Sequence, residues 1–347
     1  MQGENFFVGV PQGPAAMVPG PSFVGGQSGR WATERFLQAI KTKGTISPSD
    51  LRTNEILTND EWKIFDNEVL AEAQVRLRAV SLLLSAGLRK PIANSLAKTV
   101  FQWRKTGDMD PAMMSMSGLA RTENDRTDYE DAQLPIPITH KDFFFDLRTL
   151  LASRLAGEPL DTTYARVAGR KIAEEIERCT LLGGKQFGNL SLYGLLTYPF
   201  RNVSAFGTNG AWSQAAKTGD DIIADVNTGI AALQADRFDG PYWVWHSSNF
   251  GLKLNGDYKA ASDKTIRQRI LELDGVARID SIPTMPASTV LIFQPTPDVI
   301  QILDGESPQT VQWDVHGGFQ LNFKAFQIMV PLIRSDISDR SGIFHMS

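Results

Sequence analysis

Gly157-Glu158-Pro159-Leu160-Asp161-Thr162 punctuates the chain, and the run that follows decides its architecture. Apolar residues recur at Ala165, Ala168, Ile172, Ile176, Cys179 and Leu182, in steps of three and four, until Gly183-Gly184. That spacing marks one face of a helix, with Asp161 placed to cap its start and the glycine pair to stop it. At 1.5 Å per residue, ~21 residues span roughly 30 Å, a beam across a whole domain. Arg170, Glu174 and Arg178 lie four residues apart on the other face, where each ion pair contributes a few tenths of a kcal/mol.

Upstream, Thr58 followed by Glu61 reads as a capping box, and apolar steps from Trp62 through Leu77, Val80 and Leu84 predict one amphipathic helix of about seven turns ending at Gly87. Residues 88–142 change character. Two β-like runs, Thr99–Arg104 and Pro135–His140, flank a polar excursion that contains Met109, Met113, Met114 and Met116. They predict an extended hairpin with little core of its own, and the prolines at 135 and 137 restrict the second run to an edge or to contact with another chain. Phe143–Ala156 reads as a short helix. Residues 1–30 hold seven glycines, four prolines and two charges among eight larger apolar side chains from Phe6 to Val24. They read either as a loose chain terminus or as an extended arm that lies on a neighbouring subunit and buries its aromatic residues there.

Downstream, Thr218 with Asp221 three residues on predicts a capped helix through Ile222, Val226, Ile230 and Leu233. Asp239-Gly240-Pro241 then turns into a buried strand, Tyr242-Trp243-Val244-Trp245. A helix near Lys264–Leu273 and strands at Ala277–Ile282 and Thr289–Phe293 complete an α/β unit. In the tail, alternation at Phe319, Leu321, Phe323 and Ala325 shifts phase to Phe326, Ile328 and Val330. This predicts one long strand, 319–334, bent by a β-bulge and packed beside the 161–182 helix.

With 347 residues, 42% apolar and 21% charged, the chain has material for one large core or two to three ordinary ones, which excludes disorder and collagen-like repetition. The single cysteine, Cys179, forms no intrachain disulfide and suits a reducing compartment. Neither a signal-like start nor a run of ~18 apolar residues occurs, so a soluble protein made in the cytoplasm is expected. A formal charge of −4 argues against gripping a polyanion by counterion release.

No metal-ligand or nucleophile spacing is present. Gly183-Gly184-Lys185-Gln186-Phe187-Gly188 imitates a phosphate loop, but its lysine is misplaced and it follows a helix. His140, His246, His316 and His345 are scattered. Cys179 sits on an apolar row, where desolvation blunts a thiol. Asp108 with Asp110 and Glu123-Asn124-Asp125 are acidic enough for a cation but read as solvated loop residues. The expectation is therefore no catalytic residue, no cofactor and no metal.

In order, these parts resemble the encapsulins and tailed-phage major capsid proteins of the Hong Kong 97 fold. The likeness is carried by Leu134-Pro135-Ile136-Pro137 leading into Phe143-Phe144-Phe145-Asp146-Leu147, by Gly157–Thr162 with Val167–Glu174, and by Gly183 followed by Tyr193-Gly194-Leu195-Leu196. Leu57-Thr58-Asn59-Asp60-Glu61-Trp62 and Asp239-Gly240-Pro241-Tyr242 extend it. The resemblance implies an α+β chain with an N-terminal arm (1–57), an N-terminal helix (58–87), an E-loop hairpin (88–142), a P-domain (143–200 and 311–347, spine helix about 161–182) and an A-domain (201–310).

It further implies a non-enzymatic major capsid protein of an icosahedral virion shell enclosing double-stranded DNA. Its hexamers and pentamers would form with a separate scaffolding protein, a portal and a decoration protein as partners, and without a membrane. The 57 residues ahead of the helix favour a phage capsid over the alternative, an encapsulin-type compartment housing a cargo enzyme. An α/β enzyme with a site built from scattered residues is the competitor from another class.

Overall fold

The computed structural model describes residues 77–107, 127–156, 162–259, 263–316 and 319–347, with a few isolated positions besides. The expected arm (1–57), the Thr58 capping box, the Asp161 cap and the acidic pairs at 108–110 and 123–125 lie outside the described residues.

The spine helix, α3 (Thr163–Leu181), follows α1 (Arg78–Ser85) and α2 (Leu147–Ala156) in chain order. Its row Ala165, Ala168, Ile172, Ile176 and Cys179 is buried. The pairs on its other face are Arg170–Glu174 at 3.7 Å, Lys171–Glu174 at 2.7 Å and Arg178–Glu175 at 2.8 Å, so Arg178 turns to Glu175 rather than to the expected Glu174. The helix stops at Gly183, whose φ is +54°. A Cβ there would stand 2.2 Å from the Gly194 nitrogen, so no other residue lets the chain double back. The glycine-rich run after it is a small hairpin, β5 (Gly183–Phe187) with β6 (Leu190–Tyr193), and Lys185 pairs with Glu175 at 2.5 Å.

α3 lies on a four-stranded sheet ordered β1-β11-β12-β4, formed by Arg89–Pro91, Ile300–Val315, Gln320–Ile333 and Thr139–Asp146. Leu321, Phe323, Ala325, Met329 and Ile333 of β12 share the core with Ile172 and Ile176 of α3. The bulge expected in this strand is elsewhere. β12 pairs without interruption with β4, and the register shifts against β11 fall between Asp304, Glu306 and Gln309. The phase change in the sequence has a different cause: beyond Ala325 both faces of β12 are covered. Odd positions continue against α3, while Ile328, Val330 and Leu332 enter a second cluster with Leu134, Ile136 and Leu192.

Two further expectations are corrected here. Phe143–Phe145 is not helical. It belongs to β4, with Phe143 and Phe145 facing Phe323 and Phe144 facing out, an alternation that aromatic β-formers favour. The run 135–140 is not one strand either: β3 (Tyr129–Pro135) ends where β4 has yet to begin.

The predicted seven-turn helix is interrupted. Leu77 has ψ of 68° and lies outside the helix that starts at Arg78.

The second sheet is ordered β7-β13-β10-β8-β9: Asn202–Ser204, Ile343–Met346, Val290–Phe293, Tyr242–Ser247 and Val276–Ile282. β8 is buried throughout, as its aromatic run predicts. α4 (Gly219–Ala235) opens with the predicted capping box, and its Gly229 lets it approach the sheet: a Cβ would meet Ile292 at 2.6 Å and Phe344 at 2.8 Å. α5 (Gly251–Leu254) and α6 (Ile266–Leu271) complete this layer. Trp245, Leu291 and Phe293 join α3 in the same apolar cluster, so the two sheets share a core. All of β11 belongs with β12, whereas the C-terminal β13 joins the second sheet.

Candidate assembly surfaces

β2 (Val100–Thr106) and β3 form a two-stranded ribbon in continuous register. Gln102, Arg104 and Thr106 lie opposite Gln133, Asp131 and Tyr129, and this face is exposed. The other face leans on the protomer's own body. Phe101 and Trp103 pack against the cluster of Leu134, Leu192 and Leu332. Lys105 is held 3.7 Å from Asp339, 3.9 Å from Glu130 and 5.0 Å from the Phe200 ring centre. The hairpin expected to lack a core thus borrows one for its root.

A second surface gathers where β4, α2, the start of α3 and the start of β12 meet. Phe144, Leu151, Tyr164 and Phe319 are each more than half exposed there. Of these, Phe144 and Tyr164 border, with Phe143 and Phe145, a hollow of about 270 Å³ whose rim carries Asp142 and Asp146. Large apolar side chains grouped in this way mark contact surfaces more often than solvent-facing decoration. Sequence reasoning missed this corner because it took Phe143–Phe145 for a helix; the period-two reading places Phe144 outward.

The residues weighed for chemistry are dispersed. Burial, followed by the charge of Glu175, pushes the Cys179 thiol up to about 11, so at neutral pH it is not a nucleophile. His246 is buried at β8, and burial lowers its pKa. His345 lies on β13, and burial, with Arg201 beside it, lowers its pKa to about 4. His140 stands 3.6 Å from Asp142 at the surface, and His316 follows β11 in the left-handed conformation. Among the described residues no three His, Cys, Asp or Glu side chains converge as metal ligands.

His345 gives a pH prediction. A histidine that is harder to protonate when folded contributes stability above pH ~6.5, and this is lost as pH falls toward about 4. His345→Gln is expected to flatten the fall of melting temperature between pH 6.5 and 4.5. An unchanged slope contradicts that assignment.

Buried charge holds the body together at two places. Glu177 on α3 is fully buried and accepts the Ala79 N–H at 2.7 Å, the Val80 N–H at 3.2 Å and the Thr284 hydroxyl at 3.3 Å. The helix break at Leu77 exposes those amides, and the carboxylate caps them from 98 residues away. Lys217 and Asp225 form a buried pair at 2.7 Å. Asp225 also accepts from the Trp212 indole at 2.8 Å and the Gly207 amide at 3.1 Å, and Lys217 donates to the Thr208 carbonyl at 2.8 Å.

With this geometry the chain is similar to solved shell proteins. A chain from the capsid of Myoviridae phage XM1 superposes with a TM-score of 0.60 at 13% identity, covering 76% of this chain and 91% of that one. A chain of Mycobacterium phage Bobi gives 0.53 at 12%, covering 76% and 89%. The virus-like particle from Pyrococcus furiosus gives 0.51 at 16%, covering 78% and 98%. No curated protein matches. At such identities the likeness is one of fold, and the fold is that of the Hong Kong 97 capsid proteins. Residues 52–346 match a family described as of unknown function, DUF6260, and the chain belongs to that family, in which it carries a capsid-type fold.

Proposed function

We propose that this protein is the major capsid protein of a tailed phage, a non-enzymatic subunit that self-assembles in the host cytoplasm into an icosahedral shell around double-stranded DNA. The observation that carries this reading is the shared fold with a chain of the phage XM1 capsid. The exposed corner at Phe144, Leu151, Tyr164 and Phe319 supports it physically, because a closed shell would cover that surface with a second copy. Burial contributes about 25 cal/mol per Å² of apolar area.

In this reading β2–β3 is the E-loop, α3 with the four-stranded sheet is the P-domain, the second sheet with α4 and α6 is the A-domain, and residues 1–57 are the arm. Scaffold, portal and decoration proteins are the expected partners. A mildly acidic wall suits DNA that must enter and leave. The likeness to the Pyrococcus furiosus virus-like particle, which is covered over 98% of its length, favours a second reading, a protein compartment of the same build. Packaged DNA against folded protein content separates the two.

A surface test accompanies this. Phe144→Ser with Phe319→Ser touches exposed side chains. The double variant is expected to keep the melting temperature within about 2 °C, since surface changes fall near ±0.5 kcal/mol, while electron microscopy finds few or no shells. Shells as abundant as those of the parent chain would contradict the role given to this corner.

A further inference from the structure

The four-stranded sheet ends at β4, and that edge is open. The Leu147 N–H donates to the Phe319 carbonyl at 2.9 Å, which fixes the phase of the ladder. In β4 the odd residues turn their amides and carbonyls to β12, and the even ones turn theirs away. His140, Asp142, Phe144 and Asp146 therefore carry backbone groups without a strand partner among the described residues, and all four are exposed. Such an edge is a template for another strand unless a proline, a bulge or a covering loop guards it. β4 contains no proline and pairs with β12 without a break.

The hollow at this corner lies along the same edge. It is lined by Asp142 through Asp146. Consecutive residues of a strand alternate between its two faces, so the space all five share is beside the strand rather than above it. Thr149 and Tyr164 complete the wall. At about 270 Å³ the hollow accepts a long side chain, while a strand paired with the edge would lie outside it.

The residues of β4 select the partner. A second copy pairing antiparallel obeys a two-fold axis normal to the sheet, and the axis falls on one residue, because opposed residues share a face. An axis at Lys141 or at Asp142 sets that residue against its own copy, and an axis at Phe144 sets Asp142 against Asp146. Each of these opposes like charges, which destabilises the pair. An axis at Phe143 opposes His140 to Asp146, Lys141 to Phe145 and Asp142 to Phe144. No like charges meet in that register.

It also engages the ions that the protomer leaves over. Asp142 is already held by Lys324 at 3.6 Å, whereas Lys141 and Asp146 have no ion-pair partner among the described residues. With the axis at Phe143, the imidazole of His140 faces Asp146 of the other copy. Lys141 comes beside Phe145 and the Tyr164 ring packed on it at 5.3 Å, and aromatic faces attract an ammonium. α2 starts at Leu147, one residue past the paired span, so the two α2 helices depart at opposite ends of the contact.

We propose that β4 pairs with β4 of a second copy, antiparallel about a two-fold axis at Phe143, joining two four-stranded sheets into one continuous sheet. The proposal deepens the shell reading and rests on it for its setting, since an icosahedral cage contains two-fold axes; it names the contact that covers Phe144.

The test co-expresses two full-length variants, His140→Cys and Asp146→Cys. Both positions are exposed, and Cys179 is buried with its thiol raised to about 11, so it does not compete. Opposed across the axis, the two positions have Cα atoms ~5.5 Å apart, within disulfide range. Two copies of 140, or two of 146, are six residues out of register and ~20 Å apart. After mild oxidation, disulfide-linked dimers are expected to be at least tenfold more abundant in the co-expressed pair than in either variant alone, with peptide masses assigning the 140–146 link.

One chain carrying both cysteines should give dimers closed by two disulfides. A ladder of trimers and longer species would instead mark a head-to-tail contact and overturn the proposal, as would equal linking in the single variants. Particles that form without the 140–146 link would overturn this contact and leave the shell reading standing. Linked dimers that never build particles would support the contact and count against the shell.

Discussion

Replacing Lys217 with methionine is expected to destabilise the second layer by about 3–5 kcal/mol, the usual consequence of leaving one member of a buried ion pair without its partner. Lys217 and Asp225 are almost wholly buried, 2.7 Å apart. Without the ammonium, Asp225 keeps only the indole of Trp212 and the amide of Gly207 to offset its charge. A domain has ~5–15 kcal/mol in total, so urea melts should shift far enough to leave much of this layer unfolded at 37 °C. The pair fastens the connector that carries Gly207 and Thr208 onto α4, and proteolysis within residues 202–217 should accelerate in parallel. Lys217→Met combined with Asp225→Asn removes both charges and leaves one carbonyl acceptor. It should recover part of the loss, and a double variant as unstable as the sum of the singles would contradict the pairing.

Glu177→Ala is expected to cost about 3–4 kcal/mol, because it strips the acceptors from two buried amides at the start of α1. Glu177→Gln retains one carbonyl and should lose about half as much. The group also has a pH signature opposite to that of His345. Burial raises its pKa more than its hydrogen bonds to Ala79 and Val80 lower it. The folded chain therefore holds this proton more tightly than the unfolded chain. The contribution of Glu177 is greatest below the ordinary glutamate pKa and falls as pH rises through its folded value. Thermal melts of Glu177→Gln across pH 4 to 8 should show a smaller loss at high pH than at low pH. A loss independent of pH would show that the carboxylate is not buried as described.

The parts legible in the sequence were those whose local residues carry a signal of their own. The row of α3, the capping box at Thr218 and the aromatic run at Tyr242–Trp245 carry a period or a cap that local chemistry fixes, and each is present as read. Legibility failed where tertiary cover changed the pattern. β12 lost its alternation because a second layer covers its outer face past Ala325, and no bulge was needed. β11 was missed because Asp304-Gly305-Glu306-Ser307-Pro308 interrupts it; these polar residues sit at its register shifts.

Charged residues were the other blind spot. Nothing in the local sequence marks Glu177 and Lys217 as buried, since charge rarely is, yet each is held by partners distant in sequence or brought in by a loop. For the same reason the break at Leu77 was invisible: the helix period continues through it, and only Glu177 explains how its amides are satisfied. Of the two surfaces, the ribbon was foreseen as an element without its root's attachment to the body, and the corner at Phe144 was not foreseen at all.

The most direct test of the central claim, that the working form is a closed cage of many copies, is electron microscopy of the purified full chain, alone and with the scaffolding protein from its source. Hollow icosahedral particles, or hexamer and pentamer rings that close on adding scaffold, are the expected result. Discrete monomers or small oligomers in both preparations would contradict the account.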